Sequence, residues 1–271
     1  MQQIVAEVFL HIKDGVEKSS LDNNIIIYMI LFIRGHIRNS LDDMELYNFI
    51  QKIEDNGIIF DIYIHTWNIK QNNISWRDIK NDITPVTKQY IRKYFKNLKS
   101  TIKHIIIDDD HKIKLNGKIE GNINNGPMPL IGWKNYWYGK HKMMKYLHNN
   151  IKNENVVSIR FDFFQYSPHV RRDQLIDFIT INHKNKLSNN IFFFRNEQDY
   201  CIDNIYIGNI QQMYLLCEHF HKHLDEILIK YPNIKNQEFL VPIINNELFA
   251  KKIRKTHRIN KKINQRKTRH S

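Results

Sequence analysis

The sequence predicts an α/β domain with a mostly parallel central sheet and helices on both faces. Three observations carry that prediction. Five short apolar runs rich in Ile, Val and Phe each stop on polar residues, the pattern of strands buried on both faces. Segments with helical apolar spacing stand between them, and such alternation implies parallel strands joined by helical crossovers. The 271 residues are 42% hydrophobic with only nine Gly and six Pro, a globular composition in a chain long enough to bury a substantial core.

The elements follow in order. Residues 1–20 are read as an N-terminal extension, with either a short helix or a short strand over 3–13. A single domain spans 21–250 and opens on the apolar run Ile25–Ile33 as its first strand. Leu41, Met44, Leu46, Phe49, Ile50 and Ile53 give a helix over 40–55. "GIIFDIYIHTW" is the second strand, and Pro85 is placed in the first turn of a helix running to about Leu98. "KHIIIDDD" is the third strand, followed by a Gly- and Asn-rich loop over 116–126 and an aromatic helix, "GWKNYWYGKHKMMKYLHNN". "ENVVSIRFDFF" and "NNIFFFRN" are the fourth and fifth strands, and a long helix covers 208–230.

The net charge of +13 is unevenly placed. Ten Lys and Arg, and no acid, lie in the tail 251–271, and taking ten from +13 leaves +3 for the first 250 residues. The tail is suited to RNA or to an anionic membrane surface, or is simply a solvated end. The longest apolar run, nine residues from Ile25 to Ile33, falls short of the roughly 20 that span a bilayer. Residues 1–20 mix charges and lack a secretory apolar core. Cys201 and Cys217 form neither a disulfide framework nor a zinc spacing. The expectation is a cytoplasmic protein.

Ligands of open parallel sheets bind beyond the carboxyl ends of the strands. There the sequence reads Arg34-Gly35-His36-Ile37-Arg38, His65-Thr66-Trp67, Asp108-Asp109-Asp110, Arg160-Phe161-Asp162 and Asp203-Asn204. Gly35 permits close backbone approach, and Arg34 and Arg38 offer forks for phosphate oxygens. No Walker loop and no Gly-x-Gly-x-x-Gly is present, so a nucleotide would bind by another arrangement. Asp162 is suited to hold Mg²⁺ or Mn²⁺ against a diphosphate, or to pair with Arg160 two residues away on the same strand face. Asp108 and Asp110 form an Asp-x-Asp, either a rival metal site or a solvated turn. His219, His221 and His223 read as packing or solvated histidines. Trp133, Tyr136, Trp137 and Tyr138 read mainly as core, although Trp133 and Trp137, four apart, also suit a sugar-binding wall.

The order Gly-His-Ile-Arg (35–38), "DIYIHTW" (61–67), an aromatic helix with a lysine, "VVSIRFD" (156–162) and "DNIYIGN" (203–209) resembles a family of glycosyltransferase-like proteins of bacteria and large DNA viruses. The resemblance covers about residues 25–240 and implies a GT-A-like fold, a nucleotide-sugar donor, a divalent cation (Mn²⁺ or Mg²⁺) and a glycan or protein acceptor. It implies donor binding by Arg34, Gly35, His36, Arg38, His65, Thr66, Trp67, Lys140 and Arg160, with Asp162 as metal carboxylate and Asp203 as acceptor-side acid. Ser158 stands where the family pattern Arg-x-Arg-x-Asp has its first Arg, and "NQEFL" places Glu238 like a late acidic residue of the family. For a viral member the site of action would be host cytoplasm or virion. A nucleic-acid-binding protein acting through the tail and another nucleotide-using enzyme, such as a phosphohydrolase, are the competing expectations.

Overall fold

The computed structural model describes residues 27–249, apart from 76, 153, 168–169, 184–186, 188, 195–200 and the side chains of Phe194 and Asp203. The N-terminal extension and the basic tail lie outside the described residues. The elements are β1 (Ile27–Arg34), α1 (Glu45–Asp55), β2 (Ile58–Trp67), β3 (Ile69–Gln71), β4 (Asp82–Pro85), α2 (Lys88–Tyr94), β5 (Thr101–Asp108), α3 (Leu130–Asn150), β6 (Asn155–Arg160), α4 (Phe163–Tyr166), α5 (Arg172–Asn182), β7 (Ile191–Phe194), β8 (Cys201–Asn209) and α6 (Ile210–Lys230). A last helix, α7, covers 237–249.

The fold is α/β, with a six-stranded sheet in the order β5-β2-β1-β6-β8-β7. β5, β2, β1 and β6 are mutually parallel, whereas β8 runs antiparallel to both β6 and β7. This mostly parallel sheet with helices on both faces agrees with the GT-A-like architecture expected. Strands alternate their side chains between the two faces. On β1, Met29, Leu31 and Ile33 join one core with Phe49, Ile50 and Ile53 of α1 and Leu175 and Ile179 of α5. Ile30 and Phe32 join the other, with Trp133, Trp137 and Leu147 of α3 and Met213, Leu216, Phe220 and Leu224 of α6. The Trp137 and Phe220 rings stack there at 4.0 Å with a 4° interplanar angle. Each such fully buried large apolar side chain contributes about 1.5–3 kcal/mol.

The chain builds outward from β1 through β2 to β5, then returns to the other side of β1 with β6. The order reverses between β1 and β6, and the carboxyl ends of those two strands flank the crevice that results. No helix among the described residues is long and apolar enough to cross a membrane.

Several boundaries differ from expectation: the first helix starts at Glu45 and not at 40, and the long helix starts at Ile210 and not at 208. Pro85 ends β4 and does not open a helix. The Thr87 hydroxyl accepts a hydrogen bond from the Tyr90 N–H at 3.1 Å and caps α2, so a side-chain cap sets the start. The fourth strand stops at Arg160, and Asp162 is the residue preceding α4. Asp203 and Asn204, expected beyond the fifth strand, lie within a further strand, β8, which starts at Cys201; because β8 is antiparallel to β6, its start lies at the same edge as the end of β6, with Ile205 opposite Ile159.

Candidate functional site

Register assembles the site. Arg34 of β1 stands opposite His65 of β2 on one side and Arg160 of β6 on the other, so three strands present their polar ends in one row. Beyond Arg34 the chain turns at Gly35, whose φ of 93° favours glycine. The Gly35 N–H donates to the His65 carbonyl at 3.1 Å, and the Thr66 hydroxyl donates to the Gly35 carbonyl at 2.9 Å. Thr66 therefore holds the turn and is absent from the cavity lining. Arg38 has a left-handed φ of 53°, kept in place by its N–H donating to the Lys70 carbonyl at 2.9 Å. Such a conformation in a residue other than glycine costs of order 1–3 kcal/mol and is sustained by its surroundings.

These turns open onto a cavity of about 140 Å³ lined by Arg34, Gly35, His36, Arg38, His65, Trp67, Lys140 and Arg160, together with Asn72, Arg77, Trp133, Asn135 and Tyr136. Eight of the predicted donor-site residues thus meet in one place. Five cations line the cavity, Arg34, Arg38, Arg77, Lys140 and Arg160, and the lining contains no Asp or Glu among the described residues. Arg34 donates to the Tyr136 hydroxyl at 2.8 Å, and that hydroxyl lies 2.5 Å from the Tyr206 hydroxyl. Lys140 is fully buried with its ammonium 3.5 Å from the centre of the Tyr206 ring, a cation–π contact that offsets part of its desolvation. Arg38 and Arg77 both lie over the Tyr166 ring, at 4.7 and 4.5 Å.

Asp162 is 2% exposed and sits behind this cationic wall. Arg160 donates to its carboxylate at 2.6 Å, and Arg38 Nε lies 3.2 Å from the same oxygen without hydrogen-bond alignment. Burial pushes the Asp162 carboxyl up, but the Arg160 and Arg38 charges outweigh it and hold the carboxyl below its ordinary range. Arg160 also donates to Asn204 Oδ1 at 3.0 Å, so the start of β8 orients the end of β6.

The other acids are engaged as well. Asp108 faces His65 Nε2 at 3.0 Å and accepts from Lys142 at 2.7 and 2.8 Å. Its carboxyl falls to about 2, because these partners overcome the effect of burial. Asp110 accepts from Asn72 and lies 3.8 Å from His36 Nε2. A hard divalent ion needs several oxygen ligands, and among the described residues no group of three or more His, Cys, Asp or Glu is arranged to hold one. With Asp162, Asp108 and Asp110 all engaged and the cavity lined by cations, the described residues do not fit such an ion.

Trp67, 3% exposed, stacks with His36 at 5.8 Å and with Tyr138 at 6.2 Å and meets His65 edge-on at 5.2 Å. It therefore gives the cavity an edge, not an open face for a base or sugar. Burial, then the Arg38 charge, lowers His36 to about 3, so its ring is neutral. Trp133 does line the cavity, while Trp137 is core. Glu238 accepts from Asn236 at 2.9 Å, and its neighbour Gln237 reaches the cavity instead. His219, His221 and His223 line no part of it; His221 stacks on His141 at 4.5 Å. The Asp203 backbone lies in β8, and its side chain is outside the described residues.

Sequence reasoning missed Arg77, Lys142 and Gly139 as site-forming residues. Arg77 lies in a loop without a motif. Gly139 carried a signal, a glycine inside a strong helical pattern. A Cβ there would lie 2.5 Å from His65 Nδ1. Ala for Gly within a helix ordinarily stabilises by roughly 0.5–1 kcal/mol. Here we expect Gly139→Ala to destabilise by about 1–3 kcal/mol through overpacking against the nearly inaccessible His65 ring. Urea unfolding measures it, and a gain in stability would show that His65 moves aside freely.

The chain matches no known protein-family model and no curated protein.

Proposed function

We propose that the protein is a glycosyltransferase that takes a nucleotide-sugar donor in this cavity and transfers the sugar to a hydroxyl of a glycan or protein acceptor. One observation carries the reading: among the described residues, five cations and no acid line a cavity at the carboxyl ends of β1 and β6, where the strand order reverses. In the transfer, the acceptor oxygen bonds to the anomeric carbon. The bond from that carbon to the diphosphate breaks, its electron pair leaves with the diphosphate, and the hydroxyl proton passes to a carboxylate. Arg34, Arg38, Arg160 and Lys140 stabilise the charge that develops on the departing diphosphate. Trp133 and Tyr136 provide apolar wall for the rings of the ligand. Asp203 is the candidate for the acceptor-side carboxylate, since its strand begins at this edge of the sheet.

The test is a screen of nucleotide sugars for donor hydrolysis, reading free sugar and nucleoside diphosphate. Release of inorganic phosphate from nucleotides, with no sugar released, would favour a phosphohydrolase. RNA binding that vanishes with residues 251–271 while every donor stays intact would favour the nucleic-acid reading. Arg38→Ala should weaken nucleoside diphosphate binding by about 1.5–3 kcal/mol, the value of a charge-assisted hydrogen bond. Unchanged affinity by calorimetry would remove Arg38 from the site.

A further inference from the structure

We infer that the cavity binds the diphosphate of its ligand without a divalent cation, with the guanidinium groups of Arg34, Arg38, Arg77 and Arg160 and the ammonium of Lys140 in the role such an ion would have. The inference rests on the nucleotide-sugar reading and sharpens it: the ligand is a nucleoside diphosphate ester bound as the free anion, not as its metal chelate.

Two features of the charge distribution lead there. The carboxylate behind the arginines, Asp162, is already held by Arg160 at 2.6 Å and Arg38 at 3.2 Å. It neutralises part of the cluster from behind and presents no oxygen to the cavity lining. A dication entering among five like charges would be repelled by all of them, whereas a multiply charged anion is attracted by all. Guanidinium groups also supply planar paired donors that match phosphate oxygens. Tyr166 adds a physical brace: its ring carries both Arg38 and Arg77, holding two guanidiniums in place that would otherwise separate. Burial, then the nearby Arg160 charge, lowers Arg77, a crowding that a bound anion relieves.

Isothermal titration calorimetry of the full chain with UDP, GDP and pyrophosphate, in excess EDTA and in MnCl₂, tests this. At least one diphosphate should bind in EDTA with an affinity within about threefold of that in MnCl₂, or tighter. Arg77→Gln, a loop substitution outside both cores, should lower that affinity about tenfold while circular dichroism stays unchanged. Binding that appears only with MnCl₂, or strengthens about tenfold or more in it, overturns the inference and leaves the nucleotide reading standing. A folded protein that binds none of the three under either condition overturns the nucleotide reading itself, and this inference with it.

Discussion

Asp162→Asn is expected to destabilise the protein by about 3–5 kcal/mol, the cost of leaving buried charges uncompensated. Asp162 is the carboxylate against which Arg160 and Arg38 pack, at 2% exposure. An amide keeps the shape and removes the charge, leaving guanidiniums crowded without an anion. Guanidinium chloride unfolding measures the loss as a lower midpoint at unchanged slope. Pyrophosphate or sulfate should restore part of it by supplying the missing negative charge from the cavity side. The pH dependence has a definite sign. The folded-state carboxyl is held below the unfolded value of about 3.9. Its contribution is therefore present above pH ~4 and is lost as pH falls through the folded-state value. The gap between wild type and variant should close toward acid. A change under about 1 kcal/mol at neutral pH would mean that the arginines are already solvated and that Asp162 is not their partner.

Trp67→Ala should cost about 3–5 kcal/mol in stability, as for a truncated core aromatic, and should also weaken ligand binding. Read on β2 as a sequence, His65 and Trp67 point to one side, which suggests a wall more than a core. The tertiary structure makes Trp67 both. His36 and Tyr138 stack on it and His65 meets it edge-on, so its loss removes the support for two cavity-lining histidines. Thermal unfolding with diphosphate titration separates the roles. An unchanged midpoint with binding lost would make Trp67 a wall alone. A lowered midpoint with full affinity in the folded fraction would make it core alone.

The fold and much of the site were legible because both rest on local patterns. The runs Met29–Ile33, "IYIHTW" and "VVSI" are buried in interior strands, and helical spacing at Leu46, Phe49, Ile50 and Ile53 covers one face of them. Once the sheet is mostly parallel, the polar residues that end those strands must meet at one edge, which is why Arg34, His65 and Arg160 stand in a row. β8 was not read as a strand from the sequence, and its antiparallel direction was not legible either: a strand reads the same in either direction, and only its pairing with β6 decides it.

The sequence by itself determined the layered α/β class and the cluster of cations at the strand ends, because hydrophobic periodicity and strand polarity are properties of the chain. What those charges do was decided only by the tertiary structure. Asp162, Asp108 and Asp110 each looked able to ligate a metal, but an ion pair depends on which cation arrives across space. Arg38 reaches Asp162 from 124 positions earlier and Lys142 reaches Asp108 from 34 later. No periodicity encodes those distances; packing does, and it leaves the acids engaged and the cavity positive.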